Sequence, residues 1–371
     1  MTDYQRYHRQ MILPGFGLET QDRLQQARIL VVGAGGLGCP ALQYLAAAGV
    51  GTLGIIDFDK VELTNLHRQV LFSEADIGFS KAVIAAKKLM ALNRQIKVEA
   101  FDHRLSTKNA AELIGAYDLI IDGSDNFATR YLVNDACVLL QKPLIYGAIY
   151  RYEGQVAVFN MADTNGDNTN YRDLFPNPPA PGEMPNCVEA GVIGVLPGII
   201  GSFQANEAIK IITKIGKPLI NTLFTYNALN NTSYELQILP NASAYPSAPK
   251  NLEELADYDY ALSCGHMSMN DIPAEALETM VKEDKNLMLL DVRELHEIPR
   301  LDGLQHLSIP LGQLNERIEE CGDLEKMLVF CQSGVRSQRA IELLQQKYPE
   351  RKLYNLKGGI NQWIQYQNSK K

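Results

Sequence analysis

The stretch Val31-Val32-Gly33-Ala34-Gly35-Gly36-Leu37-Gly38 decides the fold of this chain, because an apolar strand runs into a glycine-rich turn that opens a helix. In such a turn Gly33 permits the tight bend, Gly35 lets the backbone approach a phosphate, and Gly38 lets helix and strand pack closely. The N-terminus of the next helix then offers N–H groups and a positive dipole end to an anion. The stretch predicts a nucleotide site, with a merely tight βαβ turn as the alternative, and does not say which nucleotide.

The residues that follow this turn add polar side chains at the same place. A second strand over residues 52–56 ends at Asp57, the expected distance downstream for an acid that accepts hydrogen bonds from a ribose. Asn65 and Arg68 come next and are placed to face phosphates. Lys81 lies in the first turn of a predicted helix, where its charge opposes the helix dipole. A bound polyphosphate would remove that conflict, whereas a solvated lysine is the alternative.

Another apolar run, Leu119-Ile120-Ile121, ends in Asp122-Gly123-Ser124-Asp125-Asn126. Doubly wound sheets bind ligands at the carboxyl ends of their parallel strands. Asp125 is therefore a candidate Mg²⁺ ligand, since Mg²⁺ in nucleotide sites takes one or two carboxylates plus phosphate oxygens. Alternatively, Asp125 caps the following helix, and the pair Asp125-Asn126 can serve both roles.

Alternating strands and helices predict an α/β fold, with a Rossmann-like doubly wound domain over residues 1–240. A long polar loop within it leads to Cys187, and a thiol on such a loop beside a nucleotide site suggests covalent chemistry. The alternative is that Cys187 is a small apolar filler, as most lone cysteines are. Residues 241–270 are predicted to be a linker, because they begin with a segment rich in Ala, Ser and Pro.

A smaller α/β domain is predicted over residues 271–371, where a buried strand ends in Cys331-Gln332-Ser333-Gly334-Val335-Arg336. A thiol at a strand-to-helix turn, near N–H groups and Arg336, is expected to have a lowered pKa and to be largely thiolate. Cys331 is therefore predicted to be a nucleophile rather than a structural thiol, in a loop that also suits a small oxyanion. Four residues separate Cys331 from Arg336, one fewer than in cysteine phosphatases, and the smaller loop better suits sulfur than phosphate.

Composition limits the class of protein. The chain has 371 residues, and its net charge of −8 argues against broad binding of nucleic acid or of an anionic membrane. It shows no signal-peptide pattern and no apolar run of about 18 residues, so a cytoplasmic protein is predicted. The six cysteines form no CxxC pair and are expected to be free, mostly buried thiols.

Several ordered motifs together resemble the bacterial adenylyltransferases of sulfur-carrier proteins, the molybdopterin-synthase and thiamine-pathway relatives of ubiquitin-activating enzymes. The motifs are Arg6-Tyr7-His8-Arg9-Gln10, the glycine turn, Asp57-Phe58-Asp59, Thr64-Asn65-Leu66-His67-Arg68-Gln69, Lys81, Asp125-Asn126 and Cys187-Val188-Glu189-Ala190-Gly191. The likeness covers nearly all of residues 1–240, and residues 271–371 resemble a rhodanese domain. This order of domains is that of fusion proteins which activate a sulfur carrier and supply its sulfur.

The resemblance implies that the first domain binds ATP and Mg²⁺. Gly36 and Asp57 would hold the adenosine, and Asp125 would hold the metal. Arg9 would reach into the site of the other subunit of a homodimer. The implied ATP-binding set is Gly33, Gly35, Gly36, Gly38, Asp57, Asp59, Asn65, Arg68, Lys81, Asp125 and Asn126, in which Asn65, Arg68 and Lys81 contact the phosphates.

The implied reaction begins with the C-terminal carboxylate of a small ubiquitin-like protein that ends in Gly-Gly. This carboxylate attacks the α-phosphate of ATP, which releases pyrophosphate and leaves an acyl-adenylate. Cys331, loaded by a sulfur donor, would carry a persulfide whose terminal sulfur attacks the activated carboxyl to give a thiocarboxylate. Cys187 would form a transient thioester or acyl-disulfide on the way.

One departure from the family concerns zinc. Family members commonly carry two CxxC pairs that bind a structural Zn²⁺, where this chain has Asn170-Tyr171-Arg172-Asp173 and Ala261-Leu262-Ser263-Cys264. A structural zinc normally takes four ligands, and Asp173 with Cys264 would be a poor substitute, so we expect no zinc. What anchors the loop in its place is then open.

Two other classes of protein compete with this interpretation. A nicotinamide-dependent oxidoreductase shares the glycine turn and the acid at Asp57, but gives no reason for Arg68, Lys81 and Asp125 to gather at the phosphate end. A non-catalytic scaffold that binds a ubiquitin-like partner would be expected to lose these residues, and the set is intact. The sequence does not name the carrier or its pathway.

Overall fold

The computed structural model describes residues 4–178, 191–241, 248–258, 260, 271–284, 286–301, 304–322 and 325–369. These residues form two compact units, the first containing the described residues up to Tyr260 and the second those from Asp271 onward. Each unit has its own sheet and its own apolar core. The predicted α/β class and the separation into a larger and a smaller domain are confirmed.

An eight-stranded sheet in the order β3-β2-β1-β4-β5-β6-β7-β8 forms the first unit. Its strands are β1 Arg28–Val32, β2 Thr52–Ile56, β3 Lys97–Phe101, β4 Leu119–Asp122, β5 Leu144–Tyr150, β6 Glu153–Phe159, β7 Thr222–Asn227 and β8 Thr232–Gln237. Strands β1 to β5 are parallel, and β6 to β8 extend the sheet antiparallel. The strand order reverses between the neighbouring strands β1 and β4, so the carboxyl ends of β1, β2 and β4 lie together at one edge, where doubly wound sheets bind ligands.

Helices cover the sheet and connect its strands. In the first unit they are α1 His8–Met11, α2 Gly17–Gln26, α3 Gly38–Ala48, α4 Lys81–Leu92, α5 Ala110–Gly115, α6 Phe127–Leu139, α7 Tyr171–Leu174, α8 Val195–Thr213 and α9 Leu252–Asp257. Short 3-10 helices occur at Tyr4–Tyr7, Leu63–Asn65 and Glu74–Asp76. No helix in the described part of the chain is long and apolar enough to cross a membrane.

The sequence alone predicts a helix that begins at about Ser202, but helix α8 begins at Val195, about two turns earlier. Its first residues include Pro197, Gly198 and Gly201, which are poor helix formers away from the first turn. Packing explains the difference. A Cβ at Gly201 would lie 2.2 Å from the carbonyl oxygen of Leu37, so the glycine allows α8 to approach the start of α3 closely.

A five-stranded parallel sheet in the order β11-β10-β12-β13-β9 forms the second unit. Its strands are β9 Asp271–Ile272, β10 Leu287–Asp291, β11 Leu307–Ser308, β12 Lys326–Phe330 and β13 Lys352–Leu356. Its helices are α10 Ala274–Glu283, α11 Leu314–Arg317, α12 Val335–Lys347 and α13 Gly359–Ser369, with 3-10 helices at Leu311–Gln313 and Ile318–Cys321. Central strand β12 is buried after its first residue and leads directly into Cys331.

The linker expected over residues 241–270 differs from the structure in its later part. Helix α9 lies inside this range, and its Leu255 is fully buried. Tyr260 is 5% exposed and donates a hydrogen bond from its hydroxyl to Asp135 of α6 at 2.7 Å. Residues 252–258 and Tyr260 therefore belong to the first unit, because Leu255 is buried and Tyr260 finds a hydrogen-bond partner there.

A buried ion pair holds the segment around α7. The guanidinium of Arg172 donates to both carboxylate oxygens of Asp135 at 2.7 Å, and both side chains are 3% exposed. Asn170 caps α7, and its own backbone N–H donates to Asp173 at 2.8 Å. Arg172 stands in the segment where zinc-binding relatives are expected to carry a cysteine pair. An ion pair and a capped turn thus anchor this segment, which precedes Cys187 in the chain.

Candidate functional site

The glycine turn has the geometry that the sequence predicts. Gly33 has φ +93°, and a Cβ there would lie 2.8 Å from the carbonyl oxygen of Gly123. A Cβ at Gly38 would lie 1.9 Å from the carbonyl oxygen of Gly33, so helix α3 packs against the turn itself. At Gly35, by contrast, the nearest atom would be Nε2 of Gln69 at 3.9 Å. The protein's own packing does not require a glycine at 35, which leaves room over this residue for a ligand.

Asp57 lies at the end of β2 and faces the turn. Its carboxylate accepts hydrogen bonds from the backbone N–H of Ala34 and of Asp59, each at 2.8 Å. Burial raises the pKa of Asp57 above its ordinary value, and the charge of Lys81 opposes that shift. Because each carboxylate oxygen has two lone pairs, the group retains acceptor capacity for a ribose hydroxyl.

Lys81 is 6% exposed, and its ammonium lies 3.0 Å from the carboxylate of Asp59. The alternative of a solvated lysine is therefore wrong. Asp59 also accounts for the unfavourable position of this cation at the N-terminus of α4, because its negative charge offsets that of Lys81. The pair sets a buried cation near Asp57, whose carboxylate contacts the glycine turn.

Two buried amide oxygens near the turn have no hydrogen-bond partner in the described residues: Asn65 Oδ1 and Gln69 Oε1. Unsatisfied acceptors in a buried site indicate that a ligand or water supplies the donor. Arg68 is half-buried and donates to the carbonyl oxygen of Thr64 at 3.0 Å. Gly36 belongs to the same surface, since a Cβ there would lie 3.6 Å from Cγ of Arg68 and 2.9 Å from Cβ of Pro197. The sequence analysis does not predict a role for Gln69 in the site.

Strand β4 ends at Asp122, a buried carboxylate that the sequence did not single out. Its partners are Ser124, whose backbone N–H donates at 2.9 Å, and Arg130, whose Nε lies 3.2 Å away. Arg130 also donates to the carbonyl oxygen of Gly147 at 3.2 Å and so ties β4 to β5. The sequence feature that could have identified Asp122 is a charged residue at the end of an apolar strand, because a buried Asp requires a cation or several hydrogen-bond donors nearby.

The structure separates the roles expected of Asp125 and Asn126. The side chain of Asn126 caps α6 by accepting from the backbone N–H of Thr129 at 2.9 Å. The alternative that Asp125 caps this helix is therefore wrong. Asp125 is exposed, and among the described residues its carboxylate makes no hydrogen bond or ion pair. It lies at the sheet edge that holds the glycine turn and remains available to a metal ion.

Arg9 lies away from the glycine turn of its own chain. It is an exposed residue of α1. Its neighbour Gln10 donates to the carbonyl oxygen of Ala48 at 2.9 Å, and Ala48 is the last residue of α3. The glycine turn lies at the other end of α3, about 15 Å away for a helix of this length. Arg9 is therefore not assembled with the nucleotide-site residues of the same chain.

In the second unit, Cys331 lies at the turn between β12 and α12. Its side chain is fully buried, and its sulfur accepts a hydrogen bond from the backbone N–H of Gly334 at 3.2 Å. Gly334 has φ +94° and precedes the first residue of α12. A Cβ at Gly359 would lie 2.3 Å from the carbonyl oxygen of Cys331, so α13 packs directly against this turn. The predicted strand-to-helix loop around the thiol is confirmed.

Arg336, at the start of α12, forms an ion pair with Glu297. Its two terminal nitrogens donate to both carboxylate oxygens of Glu297 at 2.5 and 2.7 Å. Hydrogen bonds from Arg336 lower the pKa of Glu297 to about 2. Glu297 was not predicted, because it is distant in sequence from the cysteine loop.

The other cysteines of the described part are free, buried thiols, as expected. Burial raises the pKa of Cys39 to about 12 and raises that of Cys137 and Cys321 as well. These three thiols are protonated at neutral pH and are poor nucleophiles. Cys187 lies outside the described residues, and so does Cys264.

Comparison with known proteins agrees with this arrangement. Residues 7–247 match the ThiF family, and residues 273–366 match the rhodanese-like domain. The family match accounts for the glycine turn and for the residues around it, and it displaces the oxidoreductase alternative.

Individual relatives cover one or both units. A protein of Thermus thermophilus named sulfur carrier protein adenylyltransferase is 53% identical over 256 residues, which are 68% of this chain and 94% of the relative. The probable adenylyltransferase/sulfurtransferase MoeZ of Mycobacterium tuberculosis is 42% identical over 368 residues, 96% of this chain and 92% of the relative. A crystal structure of E. coli MccB shares the fold, with a TM-score of 0.56 and 22% identity over 66% of this chain and 74% of that one. The chain therefore belongs to the ThiF family and carries a rhodanese-like domain after its adenylyltransferase unit.

Proposed function

We propose that this enzyme activates a small ubiquitin-like sulfur-carrier protein and then supplies its sulfur. In the first unit, the C-terminal Gly carboxylate of the carrier attacks the α-phosphate of ATP. Pyrophosphate leaves, and the carrier becomes an acyl-adenylate. In the second unit, Cys331 carries a persulfide whose terminal sulfur attacks the activated carbonyl and displaces AMP, which leaves an acyl disulfide on Cys331. A second thiol then attacks the Cys331 sulfur, so that a disulfide forms and the carrier leaves as a thiocarboxylate.

The assembly of a glycine turn, a buried lysine and a ribose-facing acid at one sheet edge carries this proposal. Space over Gly35 suits a phosphate, and the acceptor capacity of Asp57 suits a ribose. The unpartnered oxygens of Asn65 and Gln69 suit donors from the ligand or from its bound water. Lys81 brings a buried cation to the charge that develops on the phosphates, so catalysis is positioning plus charge neutralisation.

Roles for the remaining site residues follow from their positions. Gly36 lines the adenosine side, and Arg68 lies close enough to it to reach the phosphates. Asp59 fixes the ammonium of Lys81. Asp125 would hold Mg²⁺, since an exposed carboxylate at this edge matches the preference of Mg²⁺ for one or two carboxylates plus phosphate oxygens. The metal would supply charge neutralisation at the phosphates.

Homodimer formation is part of the proposal. Arg9 lies at the end of α3 opposite the glycine turn, so it reaches a nucleotide site only if that site belongs to a second copy. A guanidinium supplied in this way would add a cation to the phosphates. A cytoplasmic location is also part of the proposal.

Cys187 is proposed to form a transient thioester or acyl-disulfide with the carrier. We also propose that the protein holds no structural zinc. The buried pair of Arg172 and Asp135 supports this, because it ties the residues before the Cys187 loop to α6 without a metal. Metal analysis of the purified protein tests it, and one equivalent of bound zinc would overturn it.

ATP–pyrophosphate exchange tests the adenylation step. The purified protein with Mg²⁺ is assayed with and without a panel of small carriers that end in Gly-Gly. Exchange stimulated by one carrier is expected, and the carrier that stimulates it identifies the pathway. No exchange with any carrier would favour the scaffold alternative.

A matched pair of lysine variants makes this test specific. Lys81→Met should abolish exchange, because it removes the buried cation beside Asp57. Lys87→Met changes an exposed lysine of the same helix and should leave exchange unchanged. Equal losses in the two variants would show that Lys81 acts only through the stability of α4.

A further inference from the structure

Three side chains, Asp271, Asn355 and Ser337, form a hydrogen-bond network that ends at the sulfur of Cys331. The carboxylate of Asp271 accepts from Nδ2 of Asn355 at 2.8 Å. Oδ1 of Asn355 lies 2.6 Å from the hydroxyl of Ser337, and this hydroxyl lies 3.5 Å from the sulfur. Cys331 and Ser337 are fully buried, and Asn355 is 4% exposed. Bulk water therefore competes little with these contacts.

Strand pairing brings the members of this network together. Strand β13 pairs with β9 in parallel, and Asn355 lies opposite Asp271. Cys331 follows the last residue of β12, and Ser337 lies in the first turn of α12. Because β13 lies between β12 and β9 in the sheet, Asn355 can contact both Ser337 and Asp271. The sheet order thus connects the cysteine turn to a carboxylate two strands away.

The donors and acceptors fix the direction of each hydrogen bond in the network. An ionised carboxylate only accepts, so Asp271 holds the amide of Asn355 with Nδ2 toward itself and Oδ1 toward Ser337. An amide oxygen carries no proton, so the contact of 2.6 Å uses the single proton of the Ser337 hydroxyl. Ser337 Oγ therefore turns a lone pair toward the sulfur of Cys331.

A lone pair beside the sulfur favours the protonated form of Cys331. A thiol can donate its proton to Ser337 Oγ, whereas a thiolate has no proton to donate and meets the lone pair at 3.5 Å. The backbone N–H of Gly334 has the opposite preference, because it donates to the sulfur at 3.2 Å. The two contacts oppose each other, and only that of Ser337 depends on the orientation of another side chain.

The charged side chains around the turn do not belong to this network. Helix α13, which packs on the turn, carries no charged residue. The other elements around the turn carry Asp291, Arg293, Glu297, Arg300, Arg336, Arg339 and Lys357. Asp291 pairs with Arg293 at 2.8 Å, and Glu297 pairs with Arg336. Replacing Ser337 changes none of these charges, so its effect on the sulfur reports the hydroxyl.

We propose that Ser337, oriented through Asn355 by Asp271, is a positioning residue that keeps the unloaded thiol of Cys331 protonated and thereby protects it from oxidants. Thiolates rather than thiols react with peroxides and alkylating agents. A protonated Cys331 persists between rounds of sulfur transfer, with its S–H directed at Ser337. This inference rests on the proposed role of Cys331 as the persulfide carrier.

Alkylation of Cys331 at a series of pH values tests the proposal. The full chain reacts with iodoacetamide, and mass spectrometry follows the Cys331 peptide separately from the other cysteines. Ser337→Ala removes the lone pair and should lower the midpoint of the pH profile by about half a pH unit or more. At pH 7, this variant should be alkylated by iodoacetamide and oxidised by hydrogen peroxide about threefold faster or more.

A second variant tests whether β9 sets the orientation. Asp271→Ala leaves the amide of Asn355 free to turn and donate to Ser337 Oγ, which releases the hydroxyl proton to the sulfur. The midpoint should then fall at least as far as in Ser337→Ala. Adding Asp271→Ala to Ser337→Ala should change the midpoint little further. As a control, Glu275→Gln removes an exposed charge of α10 and should leave the profile unchanged.

Each outcome decides one point. An unchanged midpoint in a folded Ser337→Ala protein would show that Ser337 only packs, and a higher midpoint would show that it donates to the thiolate; either result overturns the proposal. Trp363, the single tryptophan of the chain, lies in the second unit, so its fluorescence reports folding. If Ser337→Ala does not fold, an unchanged midpoint in Asp271→Ala overturns the proposal. Sulfur transfer that persists in Cys331→Ser would instead overturn the persulfide role of Cys331, which the alkylation profile does not test.

Discussion

Replacing Asp135 by Asn is expected to destabilise the first unit strongly. Asp135 accepts two hydrogen bonds from Arg172 and one from Tyr260, each at 2.7 Å, and it is 3% exposed. In the variant, the guanidinium of Arg172 stays buried without a counter-charge, and the new amide N–H₂ faces other donors. Removing one partner of a buried ion pair costs about 3–5 kcal/mol. A unit of this size loses about 2–4 °C of Tm per kcal/mol, so we expect a fall of roughly 6–20 °C.

Scanning calorimetry of the full chain measures this shift, and Trp363 provides an internal reference. Trp363 is the single tryptophan and is buried in the second unit, so its fluorescence transition should not move. As a control, Glu19→Gln breaks an exposed pair with Arg23 in α2, where Glu19 is 84% exposed. That change should cost no more than about 1 kcal/mol.

A double replacement distinguishes the charge from the packing. Asp135→Leu with Arg172→Met removes both charges, and its Tm should lie well above that of Asp135→Asn, because apolar pairs replace buried ion pairs at little cost. If Asp135→Asn lowers Tm no more than Glu19→Gln does, the buried pair contributes no more than a surface pair. The account of how the segment around α7 is anchored would then be wrong.

Four further outcomes are expected. Gly35→Ala should fold normally and lose at least about tenfold in ATP affinity, measured by calorimetric titration. Gly38→Ala should instead disturb the fold, because its Cβ would lie 1.9 Å from a carbonyl oxygen. Normal ATP binding by Gly35→Ala would refute the phosphate contact. Cys331→Ala should abolish thiocarboxylate formation and retain ATP–pyrophosphate exchange, and loss of both would refute the division of labour between the units. Asp125→Ala should stop exchange at every Mg²⁺ concentration, and near-normal exchange would show that the metal ligand is another residue. Because the pKa of Glu297 is lowered from 4.5 to about 2, its ion pair should stabilise the second unit fully above pH 4.5 and progressively less as the pH falls to about 2. In urea titrations followed by tryptophan fluorescence, the free energy of unfolding of Glu297→Gln should therefore lie below that of the unaltered protein at pH 7, and the difference should be smaller at pH 3.

Features that depend on local backbone geometry were predictable from sequence. The glycine turn is one, because Gly33 must adopt a positive φ and Gly38 leaves no room for a side chain. The position of Cys331 at the start of a strand-to-helix turn is another, since an apolar strand and a helix adjoin it in sequence. The start of α8 was less predictable, because close packing at Gly201 outweighs the weak helix propensity of its first residues.

By itself, the sequence determined the alternation of strands and helices, the glycine turn and the place of Cys331 at a strand-to-helix turn, because each depends on residues within a few positions of one another. Only the tertiary structure decided which charges are paired. Lys81 meets Asp59, Arg130 meets Asp122, Arg336 meets Glu297, and Asp135 holds both Arg172 and Tyr260. Asp135 and Tyr260 are 125 residues apart. A buried charge needs a partner, but the packing of distant segments determines which residue that partner is, so the local sequence does not predict it.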